Sequence, residues 1–494
     1  MEPAESTVTP MNRKLYIDGR WRDSLAGETA IIYDPATGEQ VGTSSLAKAA
    51  DVDVAVEAAT RAFPAWAGMH PDKRAQILHR AASLIEERID LIADILTREQ
   101  GKPVPDSKKE IAFGIEVIRY YAEEGRRIHG SLRPGSRSDI RNLVTSHPVG
   151  VVAGIIPWNY PVDLYAWKVA PVLAAGCVLI AKPPHETPLA IGIVVQCFAE
   201  AGLPAGVLND IPGTGPEVGA ALSAHEGIRM ITATASVPAG QAIMRAAAGN
   251  LKRLSLELGG QCPFVVLDDA DPQEAAAAAA RRSFSNMGQI CIAVNRIIVA
   301  KGIHEKFVEA LVAETSKIRL GHGVDPGVLY GPVLNESVRT RTKRHVDDAV
   351  ARGGKLLTGG SIPKGEAFNK GFFFEPAVVD DVPDGALATT EETFGPLAAV
   401  RPVNDDREAI RIANALPFGL AAYVYSGDLE RGWAVAEQIE AGAVGVNVND
   451  TSELQAPFGG WKMSGIGREL GPEGLQAFLE KKHIKLRLRD HRQA

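Results

Sequence analysis

Apolar side chains recur at three- and four-residue spacing between residues 51 and 127, which is typical of amphipathic helices. The pattern predicts helices over 51–66, 71–100 and 108–127, with Pro71 in a first turn that tolerates proline. A strand and turn are predicted over 15–21, after a polar segment over 1–10 that we expect to be a flexible tail.

From residue 151 onward, short apolar runs alternate with helical stretches. This alternation predicts βαβ units and parallel sheets, and 494 residues are enough for two such α/β domains. The predicted strands are 151–156, 178–181, 207–211, 230–232, 253–258, 264–267, 296–300, 355–357, 420–425 and 442–448. The predicted helices are 272–280, 303–318, 335–351 and 429–439.

Two further segments break the main pattern. Residues 130–142 are rich in Gly, Ser, Pro and Arg, and form either a plain loop or an edge hairpin. Residues 481–488 alternate charged and apolar side chains, which predicts an exposed strand that adds to another sheet.

The formal net charge of −7 at pH 7 argues against a general affinity for nucleic acid or anionic lipid. Four cysteines, with no CxxC and no Cys/His cluster, predict neither a disulfide framework nor a metal site. The N-terminus lacks the apolar stretch of a signal peptide, and no apolar run is long enough to cross a bilayer. We therefore expect a reduced, cytoplasmic setting and no membrane or nucleic-acid partner.

Cys291 stands where helical periodicity gives way to a Gly-containing turn before an apolar strand. A thiol at such a junction can face a cleft, and a lowered pKa would make it a nucleophile. The alternative is a small buried hydrophobe, which is the favoured interpretation of Cys177 and Cys197.

Two more polar side chains interrupt apolar runs. Glu257 lies between two leucines at a strand end, where burial would raise its pKa and suit a general base. Asn159 lies between two prolines after a buried strand, so its amide is held rigidly enough to serve an oxyanion hole. Taken singly, each is also explained as an ordinary strand-end carboxylate or turn asparagine.

Five segments in order, over almost the whole chain, resemble the successive signatures of the aldehyde dehydrogenase superfamily: 151–187, 256–260, 288–291, 391–396 and 457–465. The resemblance implies a Rossmann-like NAD(P)-binding domain over 1–129 and 147–257 and an α/β catalytic domain over 258–445. It implies a small β oligomerisation element over 130–146 and 478–494, and a homodimer or homotetramer. Residues 446–477 would return to the cofactor domain and the substrate mouth.

The resemblance also implies the chemistry. Cys291 would attack an aldehyde, Asn159 would hold the oxyanion, and Glu257 would activate water to hydrolyse the resulting thioester. Lys168 matches a lysine that tunes the site electrostatically, and its alternative is a snorkelling surface lysine.

For the cofactor, NAD or NADP, the resemblance implies ten contacting residues: Ile156, Pro157, Trp158, Lys182, His185, Gly215, Thr234, Leu258, Glu392 and Phe394. His185 stands where the family often has a glutamate that repels a 2′-phosphate, so NADP is not excluded. Ala233 and Pro238 also replace small flexible residues, which puts the local backbone in doubt.

The substrate mouth is expected to include nine residues: Phe113, Tyr160, Leu164, Trp167, Ile290, Ile292, Asp450, Ser452 and Phe458. Succinic semialdehyde enzymes of the best-known type place arginines where this chain has Trp167 and Ser285. The polar loop 447–454 nevertheless resembles loops of semialdehyde, lactaldehyde and sulfolactaldehyde enzymes, which favours a small polar or anionic aldehyde.

Three alternatives stay open at this point. Tyr160 and Trp167 also resemble the aromatic cage of aminoaldehyde and betaine aldehyde enzymes, or they wall an apolar tunnel. A CoA-acylating relative would lack Glu257. A non-catalytic scaffold on the same fold would not need Cys291, Glu257 and Asn159 together.

Overall fold

The computed structural model describes residues 11–488, so the predicted tail over 1–10 lies outside the described residues. The fold is mixed α/β, as predicted, and two large sheets share one continuous apolar core. The first sheet has eight strands, in the spatial order Gly465–Ile466, Arg253–Leu258, Met230–Ala235, Val151–Ile155, Val178–Lys182, Leu208–Asp210, Leu15–Ile17 and Arg20–Arg22.

The five central strands of this sheet run parallel. The strand and turn predicted over 15–21 form a hairpin of Leu15–Ile17 and Arg20–Arg22, which closes one edge. The second sheet has seven strands, in the order Lys355–Thr358, Ala377–Asp380, Leu397–Val403, Val294–Ala300, Cys262–Val266, Ala421–Tyr425 and Ala443–Val446. All its pairings are parallel except that of Lys355–Thr358.

Strands Ala377–Asp380 and Leu397–Val403 were not predicted. The first strand has only four residues. The second contains Pro402, and a proline argues against a central strand because it cannot donate a backbone hydrogen bond. Smaller pieces also escaped prediction: the three-stranded sheet Met11–Arg13, Gln40–Ser45 and Thr29–Tyr33, and the pair Phe418–Gly419 and Trp461–Lys462.

Helices cover the sheets and the ends of the molecule. The α-helices are Ala49–Ala67, Pro71–Glu87, Ile89–Gln100, Val104–Glu124, Pro161–Ala174, Leu189–Glu200, Ala220–Ala224, Val237–Ala247, Pro272–Phe284, His304–Ser316, Glu336–Ala351, Leu387–Thr390, Asp406–Ala413, Leu429–Ala436 and Gly471–Gln476. Short 3₁₀ turns occupy Gly125–Arg127, Ala248–Asn250, Ser285–Gly288 and Glu366–Phe368, and Gly215–Gly219 is a π turn. No helix among residues 11–488 has the length and apolarity to span a bilayer.

The single helix predicted over 71–100 is wrong, because the structure breaks it at Arg88. This residue leaves helical geometry, with φ −111° and ψ 13°, and its side chain pairs with Glu200 on the neighbouring helix Leu189–Glu200. The apolar stripe resumes on the same face after the break, so the periodicity alone did not reveal it.

The segment over 130–142 is a hairpin rather than a plain loop. Strands Ser131–Pro134 and Ile140–Pro148 pair with each other, and Leu479–Arg487 joins the free side of Ile140–Pro148 along nine residue pairs. The exposed strand predicted over 481–488 is thereby confirmed. The division of the chain into cofactor, catalytic and oligomerisation parts stays a prediction.

The carboxyl ends of the parallel strands supply the loops that matter for function. Residues 156–160 follow Val151–Ile155, and Gly259 follows Arg253–Leu258. Ligands of such sheets bind beyond these strand ends. The candidate residues of both halves of the chain therefore meet between the two sheets.

Candidate active site

A strained turn presents Cys291. Helix Pro272–Phe284 ends in the 3₁₀ turn Ser285–Gly288, in which Asn286 and Met287 have φ of 47° and 56°. Left-handed backbone at two consecutive non-glycine residues is costly and is typical of functional turns. Gly288 is required here, because a Cβ would lie 2.2 Å from the carbonyl oxygen of Gly395. The turn leaves the Cys291 side chain partly exposed.

Asn159 lies beside this turn and is almost fully buried. Its Nδ2 donates to the carbonyl oxygen of Gln289 at 3.1 Å, which leaves its second amide hydrogen free. The backbone carbonyl oxygen of Asn159 accepts hydrogen bonds from Lys102 Nζ at 2.7 Å and from Asn286 Nδ2 at 3.1 Å. The asparagine is therefore fixed on both the backbone and the side chain.

Glu257 stands near the end of its strand with 2% of its surface exposed. Neither carboxylate oxygen has a hydrogen-bond partner within the described part of the chain. Burial, with a contribution from the charge of Glu469, raises the pKa of Glu257 to about 7. The predicted rise is confirmed, and the pKa suits proton transfer near neutral pH.

The structure does not lower the pKa of the Cys291 thiol, the change that would make it a nucleophile by itself. Desolvation, and next the Glu257 carboxylate beside it, raise the pKa of the Cys291 thiol well above its usual value. The site therefore holds Cys291 as a thiol next to a carboxylate that can accept its proton.

Lys168 is not a snorkelling surface residue, since its side chain is fully buried. Its Nζ donates to Thr234 Oγ1 at 2.6 Å and forms an ion pair with Glu469. Its positive charge also opposes the burial that raises the pKa of Glu257. The sequence reasoning did not single out Glu469, although it follows the 457–465 segment directly.

One cavity, of about 190 Å³, opens on the strand-end side of Cys291. Its lining brings together all of the following predicted residues: Pro157, Trp158, Asn159, Thr234, Glu257, Leu258, Cys291, Glu392 and Phe394. Trp158 and Phe394 meet edge to face with centroids 5.4 Å apart. Glu392 accepts from the Gly260 N–H at 3.1 Å, and a Cβ on Gly259 would collide with its carboxylate.

Arg341 is a member of this cavity that the sequence reasoning missed. Its Nε donates to the Thr393 carbonyl at 2.7 Å, between Glu392 and Phe394. Phe394 has a φ of 48°, so Arg341 supports a segment with a strained backbone. An arginine in the middle of a polar helix gives no sequence signal for this role.

The remaining predicted cofactor residues, Ile156, Lys182, His185 and Gly215, lie outside that cavity at the neighbouring strand ends. Lys182 is buried, and its Nζ donates to the carbonyls of Pro183 at 3.0 Å and Gly213 at 3.4 Å. Burial lowers its pKa to about 8. His185 is half exposed, 3.1 Å from Glu186.

The departures at Ala233 and Pro238 do not disturb the backbone. Ala233 continues the strand Met230–Ala235, and Pro238 sits in the first turn of helix Val237–Ala247. Ser236 caps that helix by accepting from the Ala239 N–H at 3.4 Å.

A second cavity, of about 450 Å³, opens on the opposite side of Cys291. All nine residues predicted for the substrate mouth line it, together with Asn159 and Cys291, which both cavities share. Trp167 forms its aromatic centre, with ring centroids 5.2 Å from Phe458 and 6.3 Å from Phe113.

The same cavity contains charged residues that the sequence reasoning missed: Asp106, Lys109, Glu110, Asp163, Arg281 and Arg282. Asp163 accepts from the indole N–H of Trp167 at 2.7 Å and so fixes that ring. Arg282 could have been found from the sequence. It lies one helical turn before Ser285, the position at which the resemblance implies an arginine in succinic semialdehyde enzymes.

The sequence was compared with known proteins. The sequence model of the aldehyde dehydrogenase family matches residues 21–484. The glutarate-semialdehyde dehydrogenase of Pseudomonas putida is 40% identical over 472 residues, covering 96% of this chain and 97% of that protein. The succinate-semialdehyde dehydrogenase [NADP(+)] of Escherichia coli is 39% identical over 468 residues, covering 95% and 96%.

Solved structures of aldehyde dehydrogenases are also similar to this chain. A betaine aldehyde dehydrogenase from Staphylococcus aureus, in complex with NAD+, superposes with a TM-score of 0.95 at 35% identity. The match covers 97% of this chain and 96% of that one.

Proposed function

The chain belongs to the aldehyde dehydrogenase family, and we propose that it oxidises a short polar aldehyde to the acid with NAD+ or NADP+. One observation carries the proposal. Cys291 and Asn159 line both cavities, and the unpaired Glu257 carboxylate lines one of them. This arrangement lets an aldehyde arrive from one side of the thiol and a hydride acceptor from the other.

The residues of the smaller cavity fit a dinucleotide. Glu392 and Phe394 would hold the nicotinamide ribose and ring, and Thr234 would reach the pyrophosphate. Lys182 is buried, and within residues 11–488 its Nζ donates only to carbonyl oxygens, so a ribose hydroxyl or phosphate would satisfy it better. When bound, the nicotinamide supplies the acceptor for the hydride that leaves the former aldehyde carbon.

The first half of the reaction is assigned to Cys291 and Asn159. The thiol adds to the aldehyde carbon and passes its proton to Glu257, whose pKa near 7 lets it accept one. The developing oxyanion is stabilised by the free amide hydrogen of Asn159 and by the Cys291 backbone N–H. Loss of hydride from this thiohemiacetal leaves a thioester on Cys291.

The second half is assigned to Glu257. Glu257 first releases to solvent the proton that it took from the thiol. Its carboxylate then takes a proton from water, and the water oxygen adds to the thioester carbon. The C–S bond breaks to release the acid, and the proton on Glu257 passes to the sulfur and restores the thiol. Lys168 and Glu469 set the charge around this carboxylate. Overall, the aldehyde, water and oxidised cofactor yield the acid, the reduced cofactor and a proton.

We propose that the enzyme uses NAD and also accepts NADP. The E. coli relative is named for NADP(+), and the S. aureus structure contains NAD+. His185 carries no fixed negative charge, so it does not repel a 2′-phosphate. Lys182, close by, supplies a positive charge in a buried place.

For the substrate we propose a short aldehyde with an anionic end, as in the semialdehydes named for the two relatives. An aminoaldehyde or betaine aldehyde is the second candidate, favoured by the aromatic cluster of Phe113, Trp167 and Phe458 and by the name of the structural relative.

The test is a panel of aldehydes assayed with NAD and NADP in parallel, each with and without coenzyme A. We expect acid formation, and a higher kcat/KM for a three- or four-carbon oxo-acid than for hexanal. Faster turnover of hexanal would contradict the substrate proposal. A strict need for coenzyme A would favour an acylating enzyme, and a lack of any turnover would favour a scaffold.

The assembly is also proposed. The sheet formed by Ser131–Pro134, Ile140–Pro148 and Leu479–Arg487 leaves Leu132, Ile484 and Leu486 exposed, which suits an oligomerisation element. Light scattering on the purified protein should give the mass of a dimer or tetramer. A monomer would refute this part of the proposal.

A further inference from the structure

The last turn of helix Pro272–Phe284 brings a buried guanidinium to the substrate cavity. Arg282 lines the cavity together with Trp167 and Ser285. Only 9% of its side chain is exposed, so its charge is largely withdrawn from water. A buried charge of this kind is retained only where a partner or a ligand compensates it.

Two groups on the neighbouring loop hold Arg282. Its Nε donates to the carbonyl oxygen of Asn449, and its Nη2 pairs with Asp450 Oδ2 at 2.6 Å. Asp450 is itself 56% exposed, so water weakens its hold on the arginine. No acceptor within residues 11–488 meets Nη1, so the guanidinium keeps donors for another anion.

The other carboxylates of the cavity wall do not offset this charge. Glu110 is paired with Lys102, with both side chains fully buried. Burial, and next the charge of Glu110, raise the pKa of the Asp163 carboxyl well above its usual value, which disfavours its negative charge. Asp106 is 3.3 Å from Lys109. The wall therefore favours a negative ligand.

We propose that Arg282 binds the carboxylate at the far end of a short aldehyde, and that Asp450 competes with that carboxylate for the guanidinium. The inference rests on the proposed function and names the group that recognises its substrate. In succinic semialdehyde enzymes of the best-known type, the family resemblance implies arginines at the positions of Trp167 and Ser285. Here the positive charge enters the cavity one helical turn earlier.

Three variants test the proposal: Arg282→Gln, Asp450→Asn and, as a control, Asp384→Asn. Asp384 is the exposed partner of Arg401, which is 19% exposed, in an equivalent pair remote from the cavity. The probes are succinic semialdehyde, butanal and 3-aminopropanal. KM and kcat are measured for each probe at saturating cofactor.

Loss of a charge-assisted hydrogen bond should raise the KM for succinic semialdehyde about 10- to 100-fold in Arg282→Gln. The KM for butanal should change by less than about threefold, since only the charged end is recognised. Asp450→Asn should lower the KM for succinic semialdehyde by about threefold, because a competing charge is removed. Asp384→Asn should leave both values unchanged.

Equal KM increases for succinic semialdehyde and butanal would overturn the proposal, because Arg282 would then only anchor the loop. A higher KM for succinic semialdehyde in Asp450→Asn would overturn it as well, even if Arg282→Gln failed to fold. Preferred turnover of 3-aminopropanal, lost in Asp450→Asn, would assign a cation site instead. If the unmodified protein oxidised none of the probes, the proposed function itself would be refuted. The results with the variants, in contrast, test only the role of Arg282.

Discussion

The two cavities on either side of Cys291 are built differently. The smaller one is formed by strand ends and by the segment around Glu392, where backbone positions set the shape. The larger one is formed by side chains from helices Val104–Glu124, Pro161–Ala174 and Pro272–Phe284 and from the loop near Asp450.

This difference indicates which cavity residues are constrained by the geometry of the backbone and which can be replaced. A side chain at Gly259 would collide with the carboxylate of Glu392, a residue of the same cavity, so the cofactor side is constrained. Helix faces accept new side chains at little structural cost. We therefore expect changes on the substrate side to alter the choice of aldehyde and changes on the cofactor side to alter the choice of dinucleotide.

The largest effect is expected at the point that both cavities share. Cys291→Ala removes the proposed nucleophile, so kcat/KM should fall by at least about 10⁴-fold for every aldehyde and either cofactor. Reduced cofactor is followed by absorbance, with thermal unfolding as the control for folding. Residual NAD(P) reduction within tenfold of the unmodified enzyme would refute the covalent mechanism.

Asn159 is the second shared residue. Asn159→Ala removes one oxyanion donor and should lower kcat about 10²- to 10³-fold, while the KM for the cofactor stays near its original value. The measurement is steady-state kinetics with either substrate varied. If the KM values rose and kcat did not change, Asn159 would be a structural residue of the turn.

The pH dependence probes Glu257 on the cofactor side. As its pKa is raised to about 7, the carboxylate that acts as base is present above pH 7 and is lost as the pH falls through 7. Where hydrolysis limits turnover, kcat should fall about tenfold per pH unit below 7 and level off above it. A kcat that is constant between pH 5.5 and 8 (about the working range) would contradict this role.

The smallest effect is expected for a substitution of His185, which should alter cofactor binding and leave aldehyde binding unchanged. His185→Glu restores a negative charge at a half-exposed position, so the KM for NADP should rise about tenfold and that for NAD should not. His185→Gln is the uncharged control. A change in the KM for the aldehyde would break the separation between the two cavities.

The same contrast explains what the sequence could predict. Cys291, Glu257 and Asn159 lie in short segments whose order along the chain is distinctive, and the parallel strands that position them have clear apolar runs. All nine residues expected at the substrate mouth also line one cavity. The strands follow from local pattern, whereas the nine substrate residues follow from the family resemblance, which rests on short segments of the sequence.

Other features depend on contacts between distant segments. Arg282 and Asp450 meet only because a helix end and a loop converge, and Lys168 meets Glu469 in the same way. The raised pKa of Cys291 arises from desolvation and from the charge of the neighbouring Glu257, and the sequence around Cys291 reveals neither. Such pairings and local dielectric effects have no periodic signal along the chain.

The central claim is that Cys291 carries an acyl group which Glu257 helps to hydrolyse. Glu257→Gln, mixed rapidly with aldehyde and cofactor, separates the two halves of the reaction. Because a glutamine side chain cannot accept the thiol proton, that proton must pass to solvent, so the burst should be slower than the first turnover of the unmodified enzyme but should still reach one reduced cofactor per subunit. Turnover should then nearly stop, with a mass increase of one acyl group on the peptide containing Cys291. Fast steady turnover with no adduct on Cys291 would contradict the claim.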